Sequence, residues 1–534
     1  MKKLNKFLFL ALSMVMALSL LTGCSKDSED SQLTTDNTSV SAKIIELDLT
    51  SEEYAFGVDK NQPELLEKTN TFISEIKADG TFDEICNNYF GDGTPVAVKS
   101  AVYDPDKDQL VVATNAAFEP FEYMEGDSYY GIDMEIAARL ADYLGMELVI
   151  QNMDFDAVCL SVGQHKCDIA MAGLTVKEDR KEYVDFSVSY YNAAQKLIVK
   201  SNDTSFDDCS SVEEIEAIIN SKGSGIKIGV QTGTTGQIYC EGDEDWGFTG
   251  FPAETIGYKN GSLAVQDLLN DNIDYVIIDS APATCITKAI NEMQTDSANA
   301  SFARKLEKFK EIFVEQDGYR MVLRGLKNTL LIAILGLIIG ILIGTVIATI
   351  RVIPKYKVLP RILNAICSFY VGLFRGTPIV VQLLVFYYVA LPILNAHMTG
   401  VQVAIWVFGL NSGAYISEIM RSGILSVDAG QMEAGRAVGL SFGTTMVKIV
   451  IPQAVKNILP TLGNEFIALI KETSVVSFVG AADLYVAFNY IGSNSYEFMV
   501  PYLVMAIIYI VLVLIISLGI KLMERSLRKS DRRN

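Results

Sequence analysis

The segment Ala55–Ile85, AFGVDKNQPELLEKTNTFISEIKADGTFDEI, decides how the first half of this chain folds. With Tyr54 it opens as a short apolar strand, YAFGVD. A helix then starts near Pro63, with Leu65, Thr69, Phe72 and Ile76 recurring at helical spacing and so sharing one face. Proline suits the first helical turn and Gly80 the stop. A second short helix sets Phe82, Ile85, Cys86, Tyr89 and Phe90 on one side. Such faces must be buried against a sheet, and upstream there is only KIIELDLT, Lys43–Thr50. The other strands come later. From Gln109 the pattern alternates: the strand QLVVAT, the amphipathic helix DMEIAARLADYLG with Ile136, Leu140 and Leu144 aligned, then the strand ELVIQ. That alternation predicts a parallel α/β sheet.

The 534 residues are 50% hydrophobic and carry a formal charge of −20, which suits two or three domains including a membrane part. Gly318–Asn534 holds 19 Lys/Arg against 9 Asp/Glu, so Met1–Asp317 holds the remaining 25 against 55. An acidic half is therefore joined to a basic, apolar one. A nucleic-acid partner is excluded, because the acidic half would repel a polyanion and the cations flank apolar spans.

The first residues, MKKLNKFLFLALSMVMALSLLTGC, have the form of an export signal over residues 1–24: cations, a short apolar run and small residues. Leu21-Thr22-Gly23-Cys24 resembles the lipobox of bacterial lipoproteins, in which Cys24 would become the lipid-bearing N-terminus. An uncleaved signal anchor would export the chain equally. Residues 25–43 are small, polar and aperiodic, as a flexible tether should be. Cys86, Cys159, Cys167, Cys209, Cys240, Cys285 and Cys367 are scattered without a CxxC pair, and His165 and His397 are the only histidines. Mostly buried thiols are expected, and no metal site or cofactor.

Asn328–Ile350 is a charge-free run of 23 residues, enough for a helix to cross a hydrocarbon layer of about 30 Å. Gly376–Ser417 is charge-free and long enough for two spans around LNAHMTG, and Phe498–Ile520 makes another. One span is assigned between Lys448 and Phe498, where Glu465, Lys471, Glu472 and Asp483 should face protein or water. Five spans result. The loop with Arg351, Lys355, Lys357 and Arg361, and the basic tail, lie in the cytoplasm if the first span runs inward. The preceding half is then outside.

That topology puts EAGRAVGLSFGTTMVKIVIP, Glu433–Pro452, in the cytoplasm between the third and fourth spans. The segment resembles the EAA loop of ABC importer permeases through Glu433, Ala434, Gly439 and Pro452, with Gly435 where the family usually has alanine. The resemblance extends over about Gly318–Arg528, including RGTPIVVQ and AYISEIMRSGI, and is to polar-amino-acid permeases with a MetI-like all-α membrane domain. It implies a coupling helix that docks into a cytoplasmic ABC ATPase dimer. No GxxxxGK[ST] occurs in the chain, so the ATPase is expected on another polypeptide, and this chain is read as a transporter subunit and not an enzyme. Five spans cannot enclose a pathway alone, which implies a homodimer or a close relative as partner.

In the exported half, ATNAAFEPFEY, GIDMEIA, CDIAMAGLTVKEDRKEYVDFSVSYY, IGVQTGTTG and VIIDSAPA resemble the polar-amino-acid family of extracellular solute-binding proteins. The resemblance implies a two-lobed type II periplasmic-binding-protein fold closing on an amino acid. A closed cleft must satisfy both charges of that ligand once water leaves. By resemblance, Arg180 would hold the α-carboxylate, helped by Thr175 and the N–H groups near Thr234 and Thr235. Asp279 and the Gly173 carbonyl would hold the ammonium, and Phe118 and Phe155 would flank the aliphatic stem. Asn115, Glu119 and Gln231 would read the side chain. An amide at Asn115, where relatives for lysine or arginine usually have a carboxylate, favours glutamine, while Glu119 would favour a cation.

In that family the chain returns from the second lobe in a strand and ends in two helices. Here Ala283 is followed by the approach to the membrane, and the matching elements are those around Ala55–Ile85. They are a remnant of a lost duplicate or the domain's own end moved to its front. The second origin, a circular permutation joined through Gly91–Asp108, removes two defects at once, because it gives the helices a sheet and the lobe its missing strand. The expected layout is a binding domain over 44–302, with 44–90 the permuted end, 109–195 lobe 1 and 196–283 lobe 2. A linker over 303–327, a permease over 328–522 and a cytoplasmic tail over 523–534 follow. Function is read as amino-acid uptake across a bacterial cytoplasmic membrane. A ligand-gated ion channel should carry a filter such as TVGYG, and an amino-acid-sensing receptor a cytoplasmic output domain; neither feature occurs.

Overall fold

The structure, a computed structural model, describes residues 41–294, 298–353, 356, 358–394, 396 and 398–531. The export signal, Cys24 and the tether lie outside the described residues.

Residues upstream of Gln109 are built into both lobes. In the first lobe the sheet order is Glu147–Asn152, Gln109–Thr114, Ile169–Ala170, Gly57–Asp59, Val184–Phe186. Gly57–Asp59 is an interior strand, antiparallel to both of its neighbours. In the second lobe Ala42–Ile45 forms the edge, antiparallel to Gln195–Lys200, and Tyr275–Asp279, Lys227–Gln231 and Glu254–Tyr258 complete the sheet. Between the lobes Glu52–Tyr54 pairs with Tyr191–Ala193. The expected single strand YAFGVD is therefore two, parted at Ala55 and Phe56, because the chain passes there from hinge to lobe.

The helices Pro63–Ala78 and Thr81–Phe90 cover the first sheet. Leu65, Thr69, Phe72, Ile73 and Ile76 are buried on the first of them and Ile85 on the second. They share a core with Tyr54, Leu110, Ile136, Leu140 and Ile169. Phe90 instead stays half exposed, stacked on Tyr191 at the rim. Gly91–Asp108 is pinned along its path, with Val98 bridged to Tyr129 and the Ala101 N–H donating to the Leu148 carbonyl.

After Asp279 the chain is helical over Ser280–Gln294 and Ala298–Lys310, so the expected linker is ordered, and the first span begins at Gly318. Spans long and apolar enough to cross a membrane are Gly318–Val352, Val358–Gly376, Gly400–Leu425 and Met499–Ser526. A fifth is the pair Phe442–Val479 and Leu484–Ser495, bent by 59°. This corrects the sequence reading in one place. The helix Val358–Gly376 takes Arg361 of the expected cationic loop near one end and Arg375 near the other, with an apolar stretch between them. Gly376–Ser417 holds a short helix, Ile379–Ile393, and the first part of the third span, rather than two spans. At the break before Pro378 the Gln382 amide donates to the Phe374 and Thr377 carbonyls, which satisfies backbone groups freed by the proline. The expected tail continues the last helix to Asp531.

Two of the four charges expected in the fourth span face protein. Glu465 accepts from Ser412 Oγ at 3.0 Å, and the buried Asp483 caps Leu484–Ser495 through the Val486 N–H. Lys471 and Glu472 are exposed near the end of their helix.

The first and third spans pack in parallel through glycines. Gly336, Gly340 and Gly344 face Phe408, Ser412 and Ile416, while Gly409 and Gly413 face Ile339 and Ile343. Small residues at four-residue intervals let two backbones approach closely where no hydrophobic effect drives them together. Both spans start beside the binding domain and end at the opposite side, where Arg351 pairs with Glu418. A Cβ on Gly340 would lie 2.9 Å from Ser412 Oγ. Gly340→Leu should therefore destabilise the membrane domain by about 1–3 kcal/mol, read as a lowered melting temperature of the full chain in detergent.

Candidate functional site

The two lobes meet over a hinge made of Glu52–Tyr54 and Tyr191–Ala193, and the expected site residues stand on either side of it. From lobe 1, Thr175 Oγ donates to Glu52 Oε2 at 2.7 Å. From lobe 2, Thr235 Oγ donates to Thr175 Oγ at 3.2 Å, so the lobes touch there. The Arg180 Nη1 donates to the Thr175 carbonyl at 2.8 Å and Nη2 to the Gly233 carbonyl at 2.9 Å, which ties the guanidinium to both lobes. Phe155 lies beneath it, 5.2 Å from ring centroid to Cζ.

Asp279 ends the strand Tyr275–Asp279 and is buried, with the Tyr54 phenol donating to it. Burial, and then the neighbouring Glu52 charge, push its carboxyl up to about 7. Glu52 is itself buried and held by Thr50, Gln195 and Thr175. Sequence reasoning missed it. Its signal was the alternation in SEEY, which puts Glu52 and the buried Tyr54 on the same side of a strand.

Phe118 lies against Gly173, whose φ of +53° and close neighbours leave no room for a side chain. The Gly173 N–H donates to Asp133 Oδ2 at 2.9 Å. Thr234 is buried in the turn before the helix Thr235–Glu241, with its hydroxyl donating to the Gln231 carbonyl. The structure parts the three selectivity residues. Glu119 and Gln231 line one recess between the lobes, together with Phe118, Pro282, Asn494 and Tyr496. Asn115 lines another, beside Asp154, Lys259, Asn489 and Tyr490, where its Nδ2 donates to the Met153 carbonyl at 2.7 Å.

At the far end of the third span the short helix Ala429–Ala437 is capped by Asp428, which accepts from the Gly430 N–H at 2.7 Å. Glu433, Ala434 and Gly439 are exposed, with Val438 and Leu440 beside them. Gly435 is buried; a Cβ there would stand 2.4 Å from Thr445 Cγ2, which accounts for glycine at this position. Gly439, at φ +89°, ends the segment, and Pro452 lies in the first turn of Ile451–Glu472. The described cysteines are free thiols, with Cys159, Cys167, Cys240 and Cys367 buried and Cys86, Cys209 and Cys285 half-buried.

Comparison with known proteins gives two family matches. Residues 110–324 match "Bacterial extracellular solute-binding proteins, family 3", and residues 336–529 match "Binding-protein-dependent transport system inner membrane component". A putative glutamine transport system permease protein, GlnP, of Rickettsia prowazekii is 38% identical over 31% of this chain and 77% of its own length. The arginine transport system permease protein ArtQ of Bacillus subtilis is 39% identical over 31% of this chain and 76% of its own length. The probable glutamine ABC transporter permease protein GlnM of Bacillus subtilis is 32% identical over 40% of this chain and 96% of its own length. Among solved structures, an amino acid ABC transporter with histidines is 38% identical over 39% of this chain and 94% of that chain, with a TM-score of 0.36.

The tightest backbone constraint in the cleft is at Gly173, where a Cβ would lie 2.9 Å from the Phe118 ring. Gly173→Ala should cost about 1–3 kcal/mol and lower the melting temperature of the full chain.

Proposed function

Because the chain belongs to the inner-membrane components of binding-protein-dependent transport systems and joins that permease to a family 3 solute-binding domain, we propose that it captures a polar amino acid outside the cell and passes it to its own permease. The observation that carries this reading is the convergence of Arg180, Thr175, Thr235, Glu52 and Asp279 in one interlobe cleft. A guanidinium on one side and carboxylates on the other match the two charges of an amino acid's head. Arg180 exchanges its carbonyl partners for the ligand carboxylate, helped by Thr175 and the turn at Thr234 and Thr235. Asp279 and the Gly173 carbonyl receive the ammonium, and Phe118 and Phe155 flank the stem.

Glutamine is the favoured ligand. Glu119 can accept from an amide, and the buried Gln231 Nε2, which has no hydrogen-bond partner among the described residues, can donate to one. Both suit an amide side chain. The relatives named for glutamine support the same choice.

The binding domain is a circular permutation in this reading, supported by the interior place of Gly57–Asp59 in the first sheet. Glu433, Ala434, Gly439 and Pro452 belong to the surface that docks a separate ABC ATPase dimer in the cytoplasm, and two copies of the permease enclose the path. The cations after the first span support an inward orientation for it, with the binding domain outside a bacterial cytoplasmic membrane. The signal is lipidated at Cys24 in this scheme. Tethering receptor to permease raises its local concentration without any new contact.

Titration calorimetry of the full chain in detergent with the twenty common amino acids should give binding to a polar one. Arg180→Ala should abolish it, and retained affinity would overturn the carboxylate assignment. The ammonium needs an ionised Asp279, whose carboxyl lies at about 7 before ligand binds. Affinity should hold above pH 7 and fall by about tenfold per unit as the pH drops below it, with proton release on binding. Uptake of labelled ligand into vesicles should require both ATP and the partner ATPase.

A further inference from the structure

The turn between the bent fourth span and the fifth reaches out of the membrane domain and is held by both lobes. Asn260 Nδ2 of lobe 2 donates to Ser493 Oγ at 2.9 Å, and Gln266 Nε2 donates to the Tyr496 carbonyl at 2.9 Å. Asn494 Nδ2 donates to the Met124 carbonyl of lobe 1, and the Tyr496 phenol donates to Glu119 Oε2. Tyr496 is buried in the lobe 2 core with Ile278 and Ile286, although its hydroxyl reaches lobe 1. Its backbone sits at φ +53°, a conformation that a non-glycine residue keeps only where its surroundings enforce it. Glu497 anchors the other side of the turn by accepting from the Met499 and Val500 N–H groups.

This turn closes the recess lined by Phe118, Glu119 and Gln231. An amino acid whose head is gripped at Arg180 and Asp279 and whose stem passes Phe118 would point its side chain into that recess. Its polar end would meet Glu119, a half-buried carboxylate whose hydrogen-bond donor among the described residues is the Tyr496 phenol.

We propose that Tyr496 is a release element, a permease side chain that occupies the ligand's side-chain subsite and competes with the ligand for Glu119 when the binding domain is seated on the membrane. The inference rests on the amino-acid reading above. One carboxylate with two competing donors makes seating and ligand binding antagonistic, and the antagonism is reciprocal: a bound ligand weakens the seat, and a firm seat expels the ligand. The ligand's side chain leaves first, beside the permease residues Ser493 and Asn494, while its head is still held near the hinge.

The test titrates the full-length protein in nanodiscs with L-glutamine and, separately, L-arginine, using the wild type, Tyr496→Phe and Tyr496→Ala. Tyr496→Phe keeps the ring and removes only the donor, so it holds the fold even if Tyr496→Ala does not. Tyr496→Phe should tighten binding of whichever amino acid binds by about tenfold, the value of one hydrogen bond to a charged group. A structural role alone would lower the melting temperature without tightening binding. Binding by wild type with unchanged or weaker binding by Tyr496→Phe would overturn the release element and leave the transport reading standing. Absence of binding in all three proteins would overturn both.

Discussion

Two carboxylates, Glu52 and Asp279, are buried where the lobes meet, and among the described residues neither forms an ion pair. Hydroxyls and an amide hold them instead: Tyr54 on Asp279, and Thr50, Thr175 and Gln195 on Glu52. Neutral donors only partly offset the cost of taking such charges out of water, and the raised Asp279 carboxyl records the remainder. A cation delivered between the lobes relieves that cost. Everything else in the binding domain depends on this arrangement, because Glu52 comes from the upstream segment, Thr175 from lobe 1 and Asp279 from lobe 2. The network forms only when that segment crosses the hinge.

The same crossing frees the exit of lobe 2 for the membrane. Past Asp279, the helices Ser280–Gln294 and Ala298–Lys310 lead to the first span. Lobe 1 has its own seat. Lys166 lies over the rings of Tyr387 and Tyr388, at 3.0 and 4.6 Å from their centroids, and Asp127 pairs with Arg324 at 2.6 Å. Both lobes thus hold the permease, lobe 1 at Tyr387, Tyr388 and Arg324, and the two together at the turn through Ser493 and Tyr496. The first span touches the third along their glycines, and the third leads directly into Ala429–Ala437.

Periodic features were legible in the sequence. Leu65, Thr69, Phe72 and Ile76 share a face because helical spacing requires it, and all four are buried. The strands QLVVAT and ELVIQ appear where alternation put them, at Gln109–Thr114 and Glu147–Asn152. Arg180, Thr175, Thr235 and Asp279 were found only through resemblance to a family, since taken singly each could be a surface charge, a core hydroxyl or a strand cap. The second span escaped notice because a search for uninterrupted apolar runs rejects a helix with Arg361 and Arg375 near its ends, and in the folded chain those ends are where cations can reach water.

Local spacing determined most helices and strands and four of the five spans, and the charge split determined which half meets the membrane, because both depend on neighbours in the chain. The partners of Glu52, the separation of Asn115 from Gln231 and the approach of Tyr496 to Glu119 were decided by tertiary structure alone. Apart from Thr50 on Glu52, the hydrogen bonds among these join residues from 123 to 377 positions apart. No periodicity carries over such distances; the closing of the lobes across the hinge brings Glu52 to its partners, and their packing on the permease brings Tyr496 to Glu119.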